Sequence, residues 1–124
     1  MKLLKIIEGK PLLWHVINRA KQVKNIDQII LITTKREADK KLIDIANESK
    51  ILSFQGDMLD VLNRHYQCAL KFNADPIIRI TSDCALIDPV LTEEISEFFL
   101  SNNYDYISNP INPTYPDGLD TEIF

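Results

Sequence analysis

No stretch of this sequence approaches the roughly 18 consecutive apolar residues of a membrane span, so no transmembrane helix is expected. The opening Met1-Lys2-Leu3-Leu4-Lys5-Ile6-Ile7-Glu8 has charges inside a short apolar patch and no small-residue cleavage site after it, which argues against a signal peptide. Cysteine is scarce: Cys68 and Cys84 lie 16 apart, a spacing that forms no metal motif and reads as reduced thiols in a cytoplasmic protein. There are only 3 glycines, so collagen is excluded and no glycine-rich turn is present. Basic residues are outnumbered, 14 against 18 acids, for a formal charge of −4 and a pI near 5.1. A protein that binds nucleic acid needs a basic face, so none is expected as an obligate partner. Repeats and low-complexity tracts are also missing.

What remains is ordinary globular composition, 45% hydrophobic and 26% charged, in 124 residues, which suffice for one domain. Pro11 suits a first helical turn, and Leu12, Leu13, Val16, Ile17 and Ala20 recur at helical spacing, predicting a helix that ends near Asn25. The β-branched run Ile29-Ile30-Leu31-Ile32-Thr33 predicts a strand buried on both faces. A second helix is predicted over 35–49, with Ala38, Leu42, Ile45 and Ala46 on its apolar side. A short strand is predicted over 51–54. Gln55-Gly56-Asp57 then reads as a turn before a third helix carrying the stripe Leu59, Leu62, Tyr66, Ala69 and Leu70. Residues 76–81 predict another buried strand, Asp88-Pro89 opens a fourth helix reaching about Leu100, and 105–108 predicts a last strand. The three prolines within 109–118 read as loop. The fold class is therefore α/β, a Rossmann-like parallel sheet with helical crossovers.

Ligands of such sheets bind beyond the C-terminal strand ends. That rule draws attention to Thr33-Thr34, Gln55-Gly56-Asp57, Thr81-Ser82-Asp83-Cys84 and Ser108-Asn109. Asp83 directly follows a buried strand, where a carboxylate can hold Mg²⁺ or simply bond its own turn. Arg79, flanked by Ile78 and Ile80, requires an anionic partner, either a carboxylate or a phosphate. Asp60 and Arg64 are spaced for a surface ion pair. His15 and His65 read as non-catalytic, and Trp14, Phe98 and Phe99 as core. The run from Tyr115 to Glu122 holds Asp117, Asp120 and Glu122, which suit sugar hydroxyls, a metal, or only solvent.

Several words taken together carry more. Gly9-Lys10-Pro11-Leu12-Leu13 precedes Gly56-Asp57 with Asp60-Val61-Leu62-Asn63-Arg64-His65-Tyr66. Arg79-Ile80-Thr81-Ser82-Asp83-Cys84 with Leu86-Ile87-Asp88-Pro89 comes next, and then Tyr115-Pro116-Asp117-Gly118-Leu119-Asp120. In this order, over essentially the whole chain, they resemble the cytidylyltransferase family of the spore-coat polysaccharide protein SpsF type, related to the acylneuraminate and Kdo cytidylyltransferases. The resemblance implies a nucleotidyltransferase fold. It also implies Mg²⁺-dependent coupling of CTP to a sugar hydroxyl with loss of pyrophosphate, for surface polysaccharide or glycan synthesis. Under it Asp83 becomes a metal ligand and catalytic residue. Thr33, Arg64 and Arg79 become nucleotide-binding residues, and Asp117, Asp120 and Glu122 sugar-binding ones.

The departures are equally specific. Relatives of this type begin with a central strand and a phosphate loop ending in Pro-Gly-Lys. The final Lys of that loop falls on Lys2, assigning it a catalytic role, and Met1 falls on the preceding glycine. The resemblance thus implies a chain truncated at both ends and lacking its first central strand. Strands 29–33 and 77–81 are then expected to expose unpaired edges, and a homodimer that pairs them is one outcome. Ser82 replaces a usual glycine and Ala85 a usual proline. A catalytically inactive binding module and a glycosyltransferase of related fold stay open, although the latter normally carries an Asp-x-Asp motif where this chain has Ser82-Asp83-Cys84.

Overall fold

Leu12, Leu13, Val16, Ile17 and Ala20, the apolar positions of the first predicted helix, are all buried. They lie on α1 (Leu12–Ala20) in a computed structural model that describes all 124 residues. The chain is organised as two compact units, residues 1–26 with 76–124, and residues 27–75.

In the first unit a short 3-10 helix (Lys2–Leu4) leads into a hairpin of β1 (Ile6–Ile7) and β2 (Lys10–Pro11). Its two turn residues, Glu8 and Gly9, both have positive φ, as a tight hairpin turn of this twist demands. Pro11 stands just before α1, and the helix stops at Ala20, five residues short of the predicted end. The chain then continues in tight turns, with Gln22 donating to the Arg19 carbonyl and Val23 to that of Ala20. Helix α4 (Pro89–Ser101) opens where Asp88-Pro89 predicts it. The Asp88 carboxylate accepts from the Val90 and Leu91 amides at 2.9 and 3.2 Å, satisfying donors that the first helical turn leaves over. Arg19 donates to the Ile87 carbonyl at 2.9 Å and Asn25 to Ser96 at 2.6 Å, tying α1 and the turn after it to α4 and its approach.

The strands of this unit differ from the expectation. Segments 76–81 and 105–108 contribute only β5 (Ile78–Arg79) and β6 (Ile107–Ser108), and neither pairs in parallel. Both pair antiparallel with β7 (Glu122–Ile123), which lies between them in a three-stranded sheet. The acid-rich C-terminal run is therefore partly a central strand. Ile123 is 1% exposed and Thr121 fully buried, so this strand supplies core to the unit. Asn109 clamps the entry to β7, its amide donating to the Leu119 carbonyl while its side-chain oxygen accepts from the Thr121 N–H at 2.8 Å.

In the second unit β3 (Ile30–Thr34) and β4 (Leu52–Gly56) form a parallel pair, in register from Ile30 opposite Leu52 to Thr34 opposite Gly56. The connection contains a 3-10 turn (Glu37–Asp39) and α2 (Lys40–Glu48). Leu42, Ile45 and Ala46 of α2 are buried as its spacing predicts, whereas Ala38 is exposed. Each strand of this pair has a strand neighbour on one edge only.

Helix α3 (Val61–Phe72) is capped by Asp60, whose carboxylate accepts from the Asn63 amide at 2.9 Å. It ends on Asn73 in the left-handed conformation, with Ala74 donating back to the Ala69 carbonyl. Its predicted apolar stripe does not enter a core. Leu59, Leu62, Tyr66 and Leu70 are all exposed, and the only buried α3 side chain is Cys68. The spacing of the stripe was sufficient to predict a helix and insufficient to tell which side of it meets protein.

Candidate functional site

Residue 83 belongs to the loop that follows β5. Two successive turns shape it: Cys84 donates to the Thr81 carbonyl at 3.1 Å, and Ile87 to the Cys84 carbonyl at 3.2 Å. Cys84 and Ile87 are buried and pin the loop, and the Cys84 sulfur lies 2.8 Å from the Thr81 hydroxyl. The intervening Asp83 is thereby turned outward. Ser82 is not among the residues with positive φ, so the loop does not require the glycine it replaces. The outward carboxylate meets Lys2, 81 positions away in sequence, with Lys2 Nζ donating to Asp83 Oδ2 at 2.8 Å. Both side chains remain open to solvent, at 67% and 45% exposure. The Lys2 hydrogen bond holds the Asp83 carboxyl below the usual carboxylate range, against a smaller opposing effect of burial.

On the adjoining sheet, Arg79 stands directly across from Glu122 and donates to Glu122 Oε2. Tyr106 donates its hydroxyl to Glu122 Oε1 at 3.0 Å. The guanidinium thus has a carboxylate partner, and that partner is one of the three acids assigned to the sugar side. Asp117 is exposed in the loop and Asp120 half-buried beside Thr121. No group of three or more His, Cys, Asp or Glu side chains converges as a metal cage, so Asp83 is not joined by Asp117, Asp120 or Glu122 in one.

The second unit carries the other two predicted residues. Thr33 is buried on β3, where its hydroxyl acts on the carboxylate of Asp39. That carboxylate, 2% exposed, is the residue sequence reasoning missed. It accepts from the Thr34 hydroxyl and, at 3.3 Å, from Arg36 Nη2, while Gln55 donates to the Thr34 carbonyl at 3.1 Å. Burial raises the Asp39 carboxyl, but these hydrogen bonds and the Arg36 charge outweigh it, leaving the group below its ordinary value.

Arg64 does not pair with Asp60, contrary to the i, i+4 expectation. The Asp60 carboxylate caps α3, and Arg64 Nη1 donates instead to the Asp57 carbonyl at 2.7 Å. The Arg64 stem lies against Gly56 so closely that a Cβ on that glycine would stand 2.5 Å from Arg64 Cγ. Asp57 in turn accepts from the Leu59 and Asp60 amides, and those two bonds lower its carboxyl. Gly56, Asp57 and Arg64 therefore form one unit of packing at the C-terminal end of β4. His15 and His65 each bond a backbone carbonyl, of Ile7 and Val61 respectively, both at 2.8 Å.

The parallel β3–β4 pair connected through α2, with charged side chains near the strand ends, makes this an α/β fold whose candidate site lies at those ends. A cytidylyltransferase from Leptospira borgpetersenii superimposes on 99% of this chain with a TM-score of 0.95 at 29% identity. The structure of CMP:2-keto-3-deoxy-manno-octonic acid synthetase complexed with CTP matches 82% of it, with a TM-score of 0.68 at 22% identity, a likeness of fold alone. An uncharacterized protein of Methanocaldococcus jannaschii is 32% identical over 123 residues. The cytidylyltransferase family model matches residues 1–118.

The chain belongs to the cytidylyltransferase family. It spans about half the length of the relatives it matches, 49% of the archaeal protein and 52% of the Leptospira chain. No helix is long and apolar enough to cross a membrane.

Proposed function

We propose that this chain takes part in a cytidylyltransferase of the SpsF type, in which CTP is coupled to a sugar hydroxyl for glycan assembly in the cytoplasm. The observation that carries the reading is the Lys2–Asp83 pair, an ammonium and a carboxylate brought within 2.8 Å and left open to solvent. In such a reaction the sugar hydroxyl gives up its proton to solvent as its oxygen attacks the α-phosphorus in line, the bond to the bridging oxygen breaks, and pyrophosphate leaves with its electron pair. Catalysis is then mostly positioning and neutralisation of phosphate charge. Lys2 supplies an ammonium for phosphate oxygens, and Asp83 a carboxylate for Mg²⁺. A single open carboxylate fits an ion that arrives with the triphosphate and keeps its waters, and it does not fit a resident one. Bound there, the ion would screen the triphosphate charge. The paired Arg79, Tyr106 and Glu122 hold the neighbouring sheet in register, and Asp117 and Asp120 face the sugar in this reading. The two free cysteines, both buried, suit a reducing compartment.

The test is calorimetric titration of the chain with Mg·CTP, with pyrophosphate release followed in parallel. Micromolar binding is expected, weakened about 10- to 100-fold in Lys2→Ala and Asp83→Asn, as loss of a charge-assisted hydrogen bond predicts. Folded protein that binds no Mg·CTP refutes the reading. Binding without turnover leaves the chain a nucleotide-binding module.

A further inference from the structure

Asp39 is the one buried charged side chain of the protein. It stands at the N-cap of α2, where an aspartate ordinarily accepts from the helix amides, yet its carboxylate makes no such bond. Asp60 and Asp88, at the same position on α3 and α4, both do. Asp39 turns instead to the end of β3. The Thr34 hydroxyl donates to one of its oxygens, and Arg36 Nη2 donates to the other at 3.3 Å. Thr34 Oγ1 in turn accepts from the Arg36 amide and from Arg36 Nε, each at 3.3 Å. One flank of the guanidinium is thus fixed by Thr34 and Asp39. Its other N–H groups have no partner, and the Arg36 side chain is 55% exposed.

The neighbouring strand end is held in a similar way. Thr34 lies opposite Gly56 in the parallel pair, and Gln55 ties the two ends by donating to the Thr34 carbonyl. Arg64 packs on Gly56 and donates to the Asp57 carbonyl. The Asp57 carboxylate is occupied by the Asp60 and Leu59 amides, which lower its pKa most, and the charges of Arg64 and Lys35 act in the same sense. Lys35, Arg36 and Arg64 therefore gather where ligands of parallel sheets bind, beside two carboxylates already engaged by other donors. From this arrangement we infer that the paired ends of β3 and β4 form an anion-binding site of phosphate type, in which Arg36 is the principal ligand and buried Asp39 its positioning residue. A guanidinium held along one flank presents its remaining N–H groups as a fixed fork, the geometry that receives a phosphate. Asp39 touches no ligand and acts through Arg36. The site lies wholly within residues 27–75. That its occupant is a phosphate group of the nucleotide rests on the reading proposed above, whereas the anion site does not.

Calorimetric titration with inorganic pyrophosphate at neutral pH tests the inference, with circular dichroism to confirm the fold of each variant. The wild-type chain should bind in the high micromolar range. Arg36→Ala, at an exposed position, should weaken binding about 10-fold, as loss of a charge-assisted hydrogen bond predicts. Asp39→Asn keeps the shape but not the charge; it should weaken binding several-fold alone and add nothing in the Arg36→Ala background. Lys50→Asn removes a charge just before β4, at the opposite end of the strand pair, where the positive φ suits asparagine, and it should bind as wild type does. A wild-type chain that does not bind pyrophosphate overturns the inference. So does an Arg36→Ala variant that binds as tightly as wild type, or an equal loss in Lys50→Asn. A further loss on adding Asp39→Asn to Arg36→Ala overturns the positioning role. Pyrophosphate binding that Arg36→Ala weakens, in a chain that binds no Mg·CTP, upholds the site and refutes the nucleotide reading alone.

Discussion

Replacing Gly56 by alanine probes the one place where backbone and a predicted nucleotide-pocket residue are in closest contact. A Cβ there would lie 2.5 Å from Arg64 Cγ, and 3.1 Å from both Arg64 Cβ and Phe54 Cε1. Gly56 does not have positive φ, so the backbone itself accepts alanine, and removing a strand glycine favours folding by about 0.5–1 kcal/mol. The clash outweighs that gain. The closest atom, Arg64 Cγ, clears the new methyl only if α3 shifts or if Arg64 changes χ1, which pulls its guanidinium from the Asp57 carbonyl, and overpacking of this kind costs about 1–3 kcal/mol. A net loss of about 1–2 kcal/mol is therefore expected for Gly56→Ala. Truncating Arg64 to alanine removes Cγ and with it the worst contact, leaving only the two at 3.1 Å. In that background Gly56→Ala should cost less than about 1 kcal/mol, so the pair should be coupled by about 1–2 kcal/mol. Urea denaturation of the four proteins measures this, since each kcal/mol shifts the midpoint by several tenths of a molar unit at m values of about 1–3 kcal/mol/M. Additivity within about 0.5 kcal/mol would refute the argument, because it would mean that Arg64 is not what the new methyl group meets.

Asp39 should govern acid stability. Its folded-state pKa lies below its ordinary value, so as pH falls below about 4 the unfolded chain takes up this proton first and the native state loses stability. Asp57 and Asp83 act in the same direction, so the measurement is the difference in denaturation midpoint between wild type and Asp39→Asn across pH 2–6. The difference should shrink toward low pH, and a constant offset would show that Asp39 is not depressed. Asp88→Ala should cost about 1 kcal/mol and lower Tm by about 4 °C, with Asp88→Ser recovering most of the loss, because either oxygen can accept from the first-turn amides. Equal losses in both variants would mean that the cap is not what Asp88 contributes.

Much of the local structure was legible in the residues themselves. The buried sides of α1 and α2 follow from a 3.6-residue apolar period over two or more turns, and the start of α4 from an N-cap aspartate followed by proline. The β-branched run that becomes β3 is long enough to be unambiguous. The words that carry the family resemblance are also local, and the family assignment agrees with them. By contrast, β5, β6 and β7 are two residues each, too short to show any alternation, and the antiparallel order that puts β7 between the others exists only through hydrogen bonds between distant segments. Periodicity placed Leu62 and Tyr66 on one side of a helix but holds no information on whether protein or water lies beyond it.

The charged groups divide in the same way. Sequence marked Asp83 as the end of a strand and Arg79 as an arginine in need of an anion. Tertiary structure decided that Asp83 meets Lys2 and that Arg79 meets Glu122, and it withdrew Asp60 from Arg64 by using its carboxylate as a cap. It also buried Asp39, which an aspartate in a run of lysines and acids does not announce. The physical reason is common to all of these cases. Propensity, capping and hydrophobic period act over a few residues and are written in them, whereas burial and pairing of a charge depend on which remote segments the fold delivers to within about 3 Å.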